Sequence, residues 1–203
     1  MVSPRRRARR HDRPVHPDAK VRADMSGQED GAELRSVHVA QGQFKTSSRP
    51  DTVLLTVLGS CVATCLYDPE AKIGGMNHFL LPDGGGEESR TMTYGVHSME
   101  LLINSLMRHG ADRRRLRAKI FGGARMIDGL SDIGARNGVF ARQFLRQEGI
   151  PCEAESLGGT LARRVRFWPA TGRAQQRVLQ DTRPVERPQR LQPQPRHDAI
   201  ELF

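Results

Sequence analysis

Cys61 follows Gly59 and Ser60 at a break between two apolar runs, and His78 lies seventeen residues further on. A thiol attacks as its thiolate, and at an ordinary pKa of about 8.5 it is largely protonated at neutral pH. A neighbouring imidazole removes that handicap by taking the thiol proton and later delivering it to a leaving group. A glycine beside the nucleophile lets substrate approach the backbone, and N–H groups of a turn can hold a developing oxyanion. Gly59, Ser60, Cys61 and His78 therefore have the types and order for covalent hydrolysis through a thioester.

The same residues have plainer readings. A cysteine or a histidine in an apolar strand commonly fills space. Cys61 and Cys65 are four apart and would share a strand face, so with His78 they offer three ligands to a metal. Structural zinc wants four, no fourth is evident, and no metal or cofactor is expected. Asp83-Gly84-Gly85-Gly86 lacks the lysine and the following helix of a phosphate-binding loop. Gly122-Gly123 and Gly158-Gly159 suit tight turns, and Arg113-Arg114-Arg115 reads as a solvated loop.

The elements that must position Cys61 and His78 follow from periodicity. Val37 and Val39 alternate with polar neighbours and suggest a short strand, and Lys45–Asp51 reads as a loop. Thr52–Tyr67 is the most apolar stretch, rich in Val, Leu and Thr, and reads as two buried strands interrupted at Gly59-Ser60. Ile73–Leu81 is a further strand, ended by Pro82, and Asp83–Arg90 reads as a flexible loop. Met99, Leu102, Ile103, Leu106 and Met107 have helical spacing over Val96–His109, closed by Gly110. Arg117–Phe121 reads as a strand and Val139–Gln147 as a second helix, with Asn137 as its cap candidate. Cys152–Ser156 and Ala162–Phe167 supply late strands. The order predicts a single α/β (α+β) domain of layered sheets with two helices.

The chain has 203 residues, enough for one domain with a real core. Its net charge of +9 is uneven, with eight Arg/Lys against three acids in residues 1–25. Residues 1–35 are expected to be a disordered basic tail, 36–172 the folded domain, and 173–203 an Arg/Pro/Gln-rich tail. Three cysteines argue against a disulfide scaffold and fit a reducing, cytoplasmic setting. No apolar run approaches a membrane span, and the Arg-rich start lacks the apolar segment of a secretory signal. One Trp and two Tyr give little for nucleic-acid bases to stack on, so neither nucleic acid nor membrane insertion is expected.

The strings Leu58-Gly59-Ser60-Cys61-Val62-Ala63 and Gly75-Met76-Asn77-His78-Phe79-Leu80-Leu81-Pro82 closely resemble the chemotaxis family CheD. So do Arg117–Ala124, Ile133–Asn137, Leu157-Gly158-Gly159 and the early Gln41-Gly42, in order over about residues 37–172. The resemblance implies a glutamine deamidase acting on the cytoplasmic domains of chemotaxis receptors. It implies a β-sandwich flanked by helices and a Cys-His-Thr set, similar in geometry to toxins that deamidate small GTPases. Carried over, the nucleophile falls on Cys61 and the base on His78, with Gly59 and Ser60 at the oxyanion turn. Thr56 is the nearest threonine to the third position and Thr52 lies further back, while Leu55 stands where some members of the family have theirs. Thr56 could equally be a strand-filling residue. The family also implies the phosphatase CheC as a second partner. The alternative is an adaptor that binds receptors or CheC without turnover, which ammonia release would distinguish.

Overall fold

A computed structural model describes residues 34–81, 88–126 and 133–180. In chain order the elements are β1 (Arg35–His38), β2 (Phe44–Ser47), β3 (Thr52–Leu58), β4 (Val62–Asp68), β5 (Ile73–Asn77), α1 (Glu88–Arg108), one 3-10 turn (Arg113–Arg115), β6 (Arg117–Gly122), α2 (Ile133–Gln147), β7 (Cys152–Leu157), β8 (Arg163–Trp168) and β9 (Arg173–Val178). The strands build a four-stranded sheet ordered β1-β3-β8-β9 and a five-stranded sheet ordered β2-β5-β4-β6-β7.

Strand β4 shows how the layers form. All seven of its residues are buried, and they divide by the two-residue period of a strand. Val62 and Leu66 join a core with the helices, through Met99, Leu102, Ile103 and Leu106 of α1 and Phe140, Ala141, Phe144 and Leu145 of α2. Ala63, Cys65 and Tyr67 join a second core between the sheets, with Leu54 and Leu58 of β3 and Val165 and Phe167 of β8. The layers are therefore four-stranded sheet, five-stranded sheet, helices, with both helices packed on the five-stranded sheet. Phe79 meets Phe140 edge to face at 5.6 Å. Gly75 makes room for α1, since a Cβ there would lie 2.7 Å from Leu102 Cδ1.

The predicted layered α+β domain with two helices is what the chain forms, with several local differences. β2 occupies the first half of the segment read as a loop, where Phe44–Ser47 pairs antiparallel with β5. α1 begins at Glu88, inside the expected flexible stretch, whose residues 83–87 lie outside the described residues. β5 ends at Asn77, so His78 lies just past the strand. α2 begins at Ile133, which puts Asn137 inside the helix and not at its cap. β9 falls in the stretch expected to be a tail: its polar residues hid a strand that pairs along β8 and exposes one face. The triple arginine is a tied turn. Arg114 bonds Asp112, Arg113 bonds Glu148, and Arg115 grips Asp68, a fully buried carboxylate. Of the tails expected over 1–35 and 173–203, residues 1–33 and 181–203 lie outside the described residues.

Candidate active site

The turn between β3 and β4 carries Gly59, Ser60 and Cys61. Three consecutive carbonyls of that turn are held, two by the chain just after β6 and one by α2. Ala124 N–H donates to Gly59 O at 2.8 Å, and Gly123 N–H to Cys61 O at 2.8 Å. Asn137 Nδ2 donates to Ser60 O at 2.9 Å. All peptide bonds are trans. In a trans peptide the N–H points opposite to the preceding carbonyl, so the Ser60 and Cys61 N–H groups face away from Ala124 and Asn137. Gly122 must be glycine here. Its φ is +114°, and a Cβ would fall 2.1 Å from the Cys61 carbonyl oxygen.

His78 is clamped through its backbone. Its N–H donates to Gln43 O at 3.0 Å, and its carbonyl accepts from Gly42 N–H at 2.7 Å. Gly42 has φ +78°, which lets the 40–43 turn fold back, closed by Gln43 N–H on Ala40 O at 3.0 Å. One residue on, Phe79 and Val62 exchange both backbone hydrogen bonds, at 2.9 and 3.0 Å. That antiparallel bridge fixes the register between the two sequence motifs. Cys61 and His78 are diagonal neighbours in it, and both project into the space between the sheets. Diagonal neighbours lie roughly 7–8 Å apart at the backbone. Cys61 is fully buried and His78 is 5% exposed.

Across that space lies Thr56 on β3, itself 1% exposed. Its hydroxyl donates to Val39 O at 2.9 Å and sits 2.9 Å from His78 Nδ1. Val39 O is also 3.3 Å from Nδ1. A carbonyl can only accept, so Nδ1 carries the proton and bonds the Thr56 and Val39 oxygens. The lone pair then belongs to Nε2, which is buried and has no hydrogen-bond partner. Burial disfavours imidazolium and lowers the His78 pKa, the Val39 carbonyl opposes this, and His38 adds to the lowering. Burial thus favours the neutral imidazole, with its Nε2 lone pair left over.

Asn137 joins the two motifs. Besides holding Ser60 O it accepts from Leu81 N–H at 2.8 Å, so one fully buried amide bridges the cysteine turn and the segment after His78. Asn77 does similar work on the other side, accepting from Thr64 N–H at 2.9 Å. Sequence reading missed Asn137 because a polar residue near a predicted helix start looks like a cap. It missed Val39 because the group that acts there is a main-chain carbonyl. Gln41-Gly42 did stand out, and its turn holds the His78 backbone.

None of the three cysteines is in a disulfide. Cys65 shares the inter-sheet face with Cys61, and burial pushes its thiol well above the usual range. Cys152 is exposed on β7, with its thiol raised by partial desolvation and by Glu155. Among the described residues, no group of three or more His, Cys, Asp or Glu side chains converges as metal ligands would. Among them, too, no helix is long and apolar enough to cross a membrane. A side chain at Gly59 would meet Met126, whose Cγ lies 3.1 Å from the Cβ position, so Met126 packs against Gly59.

A profile of the CheD family, described as CheD chemotactic sensory transduction, matches residues 80–178. A Caulobacter sp. (strain K31) protein named "Probable chemoreceptor glutamine deamidase CheD" is 54% identical over 168 residues, covering 80% of this chain and 89% of its own length. A protein of the same name from Caulobacter vibrioides is 55% identical over 145 residues, 70% of this chain and 78% of that one. Another from Agrobacterium fabrum is 50% identical over 183 residues, 85% of this chain and 98% of that one.

Proposed function

The chain belongs to the CheD family, and on that footing we propose that it deamidates glutamine side chains of chemotaxis receptors, with Cys61 as nucleophile, His78 as base and Thr56 as the group that orients the imidazole. The observation that carries the mechanism is the bond from His78 Nδ1–H to the Thr56 and Val39 oxygens, which leaves Nε2 able to accept a proton.

Nε2 takes the Cys61 proton as sulfur bonds the carboxamide carbon of the substrate glutamine. The Ser60 and Cys61 N–H groups, each pointing opposite to the held carbonyl of its own peptide unit, receive the oxyanion. One such donor is typically worth about 3–4 kcal/mol in the transition state. As the tetrahedral intermediate collapses the C–N bond breaks, imidazolium protonates the nitrogen, and ammonia leaves. His78 next deprotonates water, which adds to the thioester. The C–S bond breaks, the thiol regains its proton, and the product is glutamate. The sulfur is covered in this structure, so substrate reaches it by displacing its cover.

On this reading the substrate glutamines lie in the receptors' cytoplasmic domains, and a cytoplasmic protein would meet them there. CheC would be a second partner, engaged near the same site. Incubation with a receptor cytoplasmic fragment should convert Gln to Glu, read by mass spectrometry, with equimolar ammonia. Cys61→Ala should abolish both. Conversion by Cys61→Ala at the wild-type rate would remove Cys61 as nucleophile, and receptor binding without ammonia release by the wild type would favour the adaptor.

A further inference from the structure

The outer face of the four-stranded sheet carries four arginines and no helix among the described residues. Register fixes which residues share it. Arg164 lies opposite Arg177, Arg166 opposite Gln175, and Trp168 opposite Arg173. Their alternates Arg163, Val165 and Phe167 are buried, the last two between the sheets, so these six point outward. Arg164, Arg173 and Arg177 are exposed, and Arg166 is half-buried. None of the four makes an ion pair with a described residue, whereas Arg49, Arg113, Arg114, Arg115 and Arg142 all do. Like charges directly across a strand pair disfavour the fold, and Arg164 with Arg177 is such a pair.

Two of the cations are stiffened. The Arg166 and Arg173 guanidinium carbons lie 4.9 and 4.4 Å from the Trp168 ring centre. Cation–π contact restricts those side chains before any partner arrives, which lowers the entropic cost of binding. The same contact argues against nucleic acid. Trp168 is 6% exposed and already occupied, so it offers no platform to a base. On this face Leu55 and Val57 are half-buried, so no large apolar group stands out to enter a membrane.

Spacing favours a helix carrying carboxylates. Cross-strand partners lie about 5 Å apart and residues two along a strand about 6.6 Å. Acidic residues three or four apart on a helix present carboxylates about 5–6 Å apart. Planar guanidinium forks match carboxylates two bonds at a time, which a lysine cannot do. We propose that this arginine face docks an acidic helical surface of the receptor substrate. The proposal rests on the deamidase reading.

Calorimetric titration of the whole Cys61→Ala chain with a receptor cytoplasmic fragment tests this, at low and at physiological salt. Adding Arg164→Glu and Arg177→Glu should weaken binding about 10-fold or more and flatten its salt dependence. Arg164→Lys with Arg177→Lys keeps the charge and loses the fork, and should fall between. Unchanged affinity in the reversed-charge chain, with an unchanged melting temperature, overturns the proposal. Loss of binding only to anionic phospholipid vesicles or to single-stranded DNA overturns it equally. Binding is read with the nucleophile removed, so its outcome stands apart from the chemistry. Arginine-dependent binding by a wild-type chain that releases no ammonia would sink the deamidase reading and keep the docking face.

Discussion

Thr56 has one hydroxyl proton, and where that proton goes decides which nitrogen of His78 can act as a base. With Val39 O accepting it, Thr56 can only accept from Nδ1, and the imidazole is held in the tautomer a cysteine nucleophile needs. Thr56→Val keeps the shape and removes the hydroxyl. Its kcat should fall about 10-fold, the worth of one buried hydrogen bond, while Thr56→Ser retains most activity. Because burial lowers the His78 pKa from its usual 6.5, the base stays neutral as pH falls through that value. The acid limb of kcat/KM, which requires neutral imidazole, should therefore lie below pH 6.5, and a limb above it would contradict the buried tautomer. At this scale the sequence was legible where a side chain has a distinctive neighbourhood: Cys61 and His78, picked out by their motifs, do come onto one inter-sheet face. It was mute for Val39, since a carbonyl leaves no signature in residue type.

Among the elements, α2 acts on the site through Asn137, and β6 through the close approach of Gly122 and Gly123 to the cysteine turn. Asn137→Ala would leave the Ser60 carbonyl and the Leu81 N–H buried without partners. Thermal or denaturant unfolding should report a loss of about 3 kcal/mol, since each such group costs about 1–3. Asn137→Asp still accepts from Leu81 but cannot donate to Ser60, and should lose less stability while still losing turnover. The long apolar elements β3, β4 and α1 were readable because burial on one or both faces imposes a period. β2 and β9 were not, because each pairs through its backbone while carrying polar side chains. A strand like RAQQRV declares itself only by what it lies beside.

At the scale of the molecule, Asp68 ties the end of β4 to the turn before β6. Burial alone would raise its pKa. The Arg115 guanidinium and the N–H groups of Asp112, Ala71 and Glu70 outweigh this and hold the carboxyl far below the usual range. A carboxylate with a depressed folded-state pKa contributes stability that is complete above about pH 4 and lost as pH falls below it. Melting temperature should accordingly fall below pH 4 in the wild type, and less steeply in Asp68→Asn, which should already be weaker at pH 7 by about 3 kcal/mol. The His78–Thr56 bond makes a different demand. His78 belongs to the five-stranded side and Thr56 to the other sheet, so the bond that orients the base spans the gap of the sandwich. A slippage of a fraction of an ångström between layers, harmless to either ladder, would break it. Chemical competence is thus a gauge of interlayer distance, and under mild heat or denaturant turnover should vanish while both sheets are still intact.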